Sequence, residues 1–100
     1  MRTVNFNFER IGSIEDFYKL AKAALNLPEH FGNNLDALWD SLTADIELPL
    51  QVQFTNMTLS QLEQYDNLIT LFEDAATETD DGLSFEYYLR KSWDHHPAKK

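Results

Sequence analysis

Asp36 and Asp40 stand four residues apart, in a segment that otherwise has the pattern of a short helix. Leu35, Leu38, Trp39 and Leu42 fall at i, i+3, i+4 and i+7, the stripe a helix turns toward a core. Asp36, Asp40 and Thr43 take the opposite stripe, so two carboxylates share one outward face. Like charges at this spacing cost a helix roughly 0.2–0.5 kcal/mol. Asp36 recovers part of that cost in the first turn, where the helix dipole favours an anion, whereas Asp40 does not. The chemistry open to such a face is the capture of cations from outside the chain. Guanidinium forks accept carboxylates as bidentate partners, so an acidic helix can fill a site built for phosphate. His30 and Asn34, in the loop before the helix, complete this first candidate surface with Asp36, Asp40 and Thr43. The plainer alternative is a solvated helix face.

A second acidic group lies near the end of the longest helical pattern. Asp74 and Glu78 are again four apart, with Glu73, Asp80 and Asp81 close by. Negative charge at a helix C-terminus opposes the dipole, at about 0.3–1 kcal/mol each when well placed. A merely charged helix end explains the pattern equally well. Catalysis has less support. The Asp36–Asp40 pair could hold Mg²⁺, which takes carboxylates and water, but no third ligand stands at suitable spacing. With three glycines in the chain there is no phosphate-cradling loop. His30 lies in a loop and His95 and His96 in an aperiodic end segment, so no Ser-His-Asp grouping can be assembled, and the histidine pair is a poor match to zinc constellations. The expectation is a protein without cofactor or metal that is not an enzyme.

The elements that must position these residues alternate between strand and helix. Val4, Phe6 and Phe8 alternate with polar residues as a first strand. Gly12 ends it, and Ser13 with Asp16 approximates a capping box for a helix to about Leu25, burying Ile14, Phe17, Leu20, Ala21, Ala24 and Leu25. Pro28 and Gly32 mark a loop, and Asn34 or Asn33 caps a second helix from about Leu35 to Thr43. Leu50, Val52 and Phe54 give a second strand. Ser60 and Glu63 suggest a capping box for a third helix, with Leu59 as a staple and Leu62, Tyr65, Ile69, Phe72 and Ala76 facing inward. Leu83, Phe85, Tyr87 and Leu89 alternate as a third strand. Strands separated by helices predict an α/β fold: a small three-stranded parallel sheet with three to four helices packed on it. The alternation within each strand predicts helices on one face and partial exposure of the other. Residues 1–90 form this domain, and residues 91–100, aperiodic and containing Pro97, read as a frayed tail.

One hundred residues can bury a single core without staples. The absence of cysteine excludes disulfides and thiolate chemistry. No apolar run nears the ~20 residues of a membrane span and the N-terminus lacks a signal-peptide pattern, so no membrane association and a cytoplasmic location are expected. The net charge of −9 is unevenly distributed. From Glu29 to Asp81 there are twelve acidic residues and no Lys or Arg. Such a surface repels nucleic acid and steers a basic protein toward it, although solubility alone is the simpler reading.

The run Leu27-Pro28-Glu29, Gly32, Asn34-Leu35-Asp36-Ala37-Leu38-Trp39-Asp40, with Leu42-Thr43 and Pro49-Leu50 after it, resembles the central loop and second helix of the barstar family, intracellular inhibitors of barnase-type ribonucleases. The likeness runs from about Val4 to about Leu89 and supports the three-stranded parallel fold. It implies Asn34 and Leu35 along a contact loop with Trp39 beside it, Asp36 and Asp40 as an acidic plug with Asp40 aimed at the nuclease phosphate site, and Asp74 and Glu78 as further acidic contacts. It also implies an immunity protein, monomeric when free, whose partner is a secreted or toxin ribonuclease. Two positions depart from the family pattern. His30 stands where a tyrosine precedes the loop glycine by two residues, and Asp45 where a tryptophan follows the second helix. Aromatic anchors dominate such interfaces, so these changes bear on which partner is bound. A histidine can still stack, and it would make binding sensitive to pH. The alternative reading is a barstar-fold interaction module for another basic protein or toxin, with no ribonuclease target.

Overall fold

β1 (Arg2–Asn7) buries Val4 and Phe6 and leaves Thr3 and Asn5 in solvent, the two-residue alternation of a strand with one covered face. β2 (Leu50–Met57) repeats this with Leu50, Val52 and Phe54 inside, and a register shift between Phe54 and Met57 brings Met57 inside as well. β3 (Leu83–Leu89) does so only at its start: Leu83 is buried and Phe85 half-buried, but Tyr87 and Leu89 are 43% and 41% exposed, contrary to a uniform alternating strand. The computed structural model describes residues 2–90; the expectations for residues 91–100, the frayed tail and the histidine pair, lie outside them.

The sheet has the order β1-β2-β3 and is parallel throughout, with Val4 opposite Val52, Phe6 opposite Phe54, and Val52 opposite Phe85. Its uncovered face carries a polar ladder. Thr3 Oγ1 donates to Gln51 Oε1 (3.2 Å), Thr55 Oγ1 to Asn5 Oδ1 (2.9 Å), and Gln51 and Gln53 both donate to Glu86 Oε1 (3.1 and 3.3 Å). The covered face is aromatic. Phe6 packs on Phe17 at 4.9 Å between ring centroids, Phe54 on Phe72 at 5.2 Å, and Phe72 on Phe85 at 5.3 Å. The first pair is tilted, the second edge-to-face and the third stacked, geometries that add to area burial.

α1 (Ile14–Ala24) starts at Ser13, whose Oγ accepts from the Asp16 N–H (3.2 Å). The reciprocal half of the box is displaced by one residue, because the Asp16 carboxylate accepts from the Gly12 N–H (3.1 Å). The helix buries Phe17, Tyr18 and Ala21, while Leu20 and Ala24 are exposed rather than internal. It is rotated so that Tyr18 meets Phe31 of the following loop, ring to ring at 5.9 Å.

The helix expected between β2 and β3 is two helices, α3 (Leu59–Gln64) and α4 (Asp66–Glu78), broken at Tyr65. The capping box is Thr58–Gln61 and not Ser60–Glu63: the Gln61 N–H donates to Thr58 Oγ1 (3.1 Å) and the Thr58 N–H to Gln61 Oε1 (3.0 Å). The Gln61 amide also donates to the carbonyls of Phe8 (3.0 Å) and Ile11 (3.3 Å), tying the cap to the chain leaving β1. Leu59 is no staple, being 71% exposed. Tyr65, Ile69 and Phe72 are buried as their spacing predicts, Leu62 and Ala76 are half-buried, and Leu68 and Ala75 join the core.

Candidate functional site

The candidate surface is built on Asn34. Its Oδ1 accepts from the Ala37 N–H (2.8 Å) and its Nδ2 donates to the Gly32 carbonyl (3.0 Å), capping α2 (Leu35–Asp40) and closing the loop onto it. Gly32 permits that closure, since a Cβ there would stand 3.0 Å from Asn34 Nδ2. Asn33 has a φ of 50°, a left-handed conformation that asparagine tolerates. The side chain of Asn34, expected at a contact surface, is therefore exposed but engaged in holding the helix start.

α2 presents two faces. Leu38 and Leu42 are buried, and Leu35 and Trp39 are half-buried against the core. Asp36 and Asp40 are exposed. The α-helix does not run to Thr43 as expected; after Asp40 it widens into a π-helical turn over Ser41–Asp45, closed by the Ile46 N–H donating to the Ser41 carbonyl (3.0 Å). Such turns recur at functional positions. Thr43 Oγ1 donates to the Trp39 carbonyl (2.8 Å), so Thr43 is half-buried and bonded within the helix.

His30, Asp40 and Asp45 meet at one cleft of about 220 Å³, walled by Phe31 and Ala37 and reached by Ser41. Leu35 lines a different groove, of about 450 Å³, with Ile14, Tyr18 and Tyr65. Burial, with the negative charge of Glu15, raises the Tyr18 phenol above its ordinary value; burial, with Asp16 and Glu15, does the same for Tyr65. Asp74 and Glu78 are exposed on α4, which packs against α2 and the π turn, so the two acidic segments occupy adjoining elements. Asp45 enters the site unforeseen as a neighbour of Asp40, because a reading at 3.6 residues per turn carries no sign of the wider turn.

The electrostatics of the surface are one-sided. All twelve acids from Glu29 to Asp81 are exposed, and among the described residues the one ion pair is Arg90 with Glu9 (4.0 Å), outside that segment. Among the described residues no three His, Asp or Glu side chains are grouped to hold a metal ion, and no helix is long and apolar enough to cross a membrane.

Fold and surface define a parallel α/β protein with an uncompensated acidic helical face. Residues 1–94 match the family described as Barstar (barnase inhibitor). A protein of Bacillus subtilis (strain 168) named "Putative ribonuclease inhibitor YrdF" is 33% identical over 84 residues, spanning 81% of this chain and 92% of its own length. The chain belongs to the barstar family.

Proposed function

We propose that this protein inhibits a barnase-type ribonuclease by docking the α2 face into its basic active site, as a cytoplasmic immunity protein beside a secreted or toxin nuclease. The observation that carries the reading is the exposure of all twelve acids of the central segment with no ion pair to any of their carboxylates among the described residues. Carboxylates left in this state are attractive to a site that binds RNA phosphate through Arg, Lys and His. Asp40 is the plug, Asp36 supports it, and His30, Leu35 and Trp39 line its approach. Asn34 and Thr43 contribute their exposed edges while holding the helix. Asp74 and Glu78 extend the negative field along α4. Inhibition requires no chemistry from the inhibitor, since occupying the phosphate site excludes substrate.

The free protein is a monomer, and the complex buries about 1,600 Å² in total, the standard size for a specific interface. The test is inhibition of a purified barnase-type ribonuclease across a range of salt. Stoichiometric inhibition is expected, with association slowed by salt far more than dissociation, as steering by the acidic field requires. An association rate indifferent to ionic strength would remove the electrostatic argument.

A further inference from the structure

We propose that the cleft between His30 and the π-helical turn receives one arginine side chain of the partner, with Asp45 acting beside Asp40 as its second carboxylate. The inference rests on the inhibitor reading for the kind of partner and adds a specificity residue that the family pattern lacks, since the resemblance expects aromatic side chains at both His30 and Asp45.

The backbone makes the pairing. In an α-helix, a residue five positions after Asp40 points well round the helix from it. The wider turn over Ser41–Asp45 alters that phase, and both carboxylates line the same cleft. Two like charges at one small cleft are unfavourable without a cation, and among the described residues none is paired with either.

A second observation is independent of the acids. Ser41 lines this cleft, is only 4% exposed, and its hydroxyl makes no side-chain hydrogen bond among the described residues. Among the described residues no side-chain polar atom sealed from solvent lacks a partner, so this hydroxyl keeps some solvent access at the cleft that Ser41 lines. Hydroxyls in such nearly buried positions are ordinarily partnered, and this one is available to a donor entering from outside. The dimensions select the ligand further. About 220 Å³ is below the roughly 300–1,000 Å³ of small-molecule sites and suits one side-chain head group. A guanidinium fits the lining better than an ammonium. Its planar fork can donate to two carboxylates and a hydroxyl together while its weakly hydrated faces lie against Phe31 and Ala37; an ammonium is a strongly hydrated point charge.

The experiment is an NMR titration of the whole protein with N-acetyl-argininamide, alongside N-acetyl-lysinamide and an Asp45→Asn variant of nearly unchanged shape. Saturable shifts confined to His30 and residues 40–46, stronger for the arginine probe and weakened about tenfold by Asp45→Asn, are expected. Shifts spread evenly over α4 as well, equal response to both probes, or an unchanged variant would each overturn the proposal. This readout needs no nuclease, so it stands apart from a failure to inhibit. Where the wild type does inhibit, Asp45→Asn should raise Kd about tenfold, with a smaller effect in an Asp40→Asn background. An unaltered Kd would overturn the proposal with the inhibitor reading intact.

Discussion

α1 and α4 are helices of similar length with opposite electrostatic designs. α1 places Glu15 and Asp16 in its first turn and Lys22 in its last, each charge complementing the dipole, and Lys22 Nζ also donates to the Glu29 carbonyl (3.1 Å). α4 has Asp66 in its first turn but no basic residue in its last, where Glu78 sits instead. α2, packed beside α4, likewise ends on an acid, Asp40, with no basic residue in its last turn. One helix is charged for its own stability. The others end on charges that oppose their dipoles, which is expected where charge serves a partner, while all three bury apolar residues on their inner faces.

The largest effect is expected in the interior beneath these charges. Leu38 is fully buried under the acidic face, and Leu38→Ala should cost roughly 2–5 kcal/mol in urea denaturation. A loss under about 1 kcal/mol would mean α2 is not anchored as its packing implies. The helix ends give smaller effects of opposite sign. Lys22→Glu should destabilise by about 1 kcal/mol, losing a favourable dipole contact and a hydrogen bond, and leave binding nearly unchanged. Glu78→Lys should stabilise by roughly 0.3–1 kcal/mol while slowing association with a basic partner. Destabilisation by both substitutions would dissolve the contrast between the helices.

The smallest effect is at alkaline pH, where the α1 side is distinguished by Tyr18 and Tyr65. Burial raises both phenols above their ordinary value of 10.0. The folded state therefore holds its protons more tightly than the unfolded chain. This stability is fully present below about pH 10 and is lost as pH rises through the raised values. Urea midpoints should fall across that window, and less so in Tyr18→Phe. A midpoint that stays flat would separate these hydroxyls from stability.

β1, β2 and the start of β3, with Phe6 and Phe54, are legible because period-two alternation follows directly from one covered sheet face; the exposed Tyr87 and Leu89 at the end of β3 are not. Asn34 was legible as a cap, and Asp36 and Asp40 as outward charges, because these depend on spacing within a few residues. Elsewhere, distant contacts choose among options that local sequence leaves equal. Both Thr58–Gln61 and Ser60–Glu63 satisfy the capping pattern; the first prevails because Gln61 also bonds the carbonyls of Phe8 and Ile11 across the chain. Leu20 yields its inward place to Tyr18 because Phe31 waits in the loop. The π turn is the consequential omission: it left Asp45 visible only as a departure from the family pattern rather than as a neighbour of Asp40.

The most direct test of the account is inhibition of a barnase-type ribonuclease by the wild type and by Asp40→Ala, with thermal unfolding of both measured in parallel. One-to-one inhibition is expected, weakened by the substitution by at least about 2 kcal/mol with thermal stability unchanged. That figure is the general scale of interface hot spots, which the barnase–barstar pair itself illustrates, and it is not particular to this site. Undiminished inhibition by Asp40→Ala, or a large loss of its thermal stability, would contradict the account by taking Asp40 out of the interface or placing it in the fold.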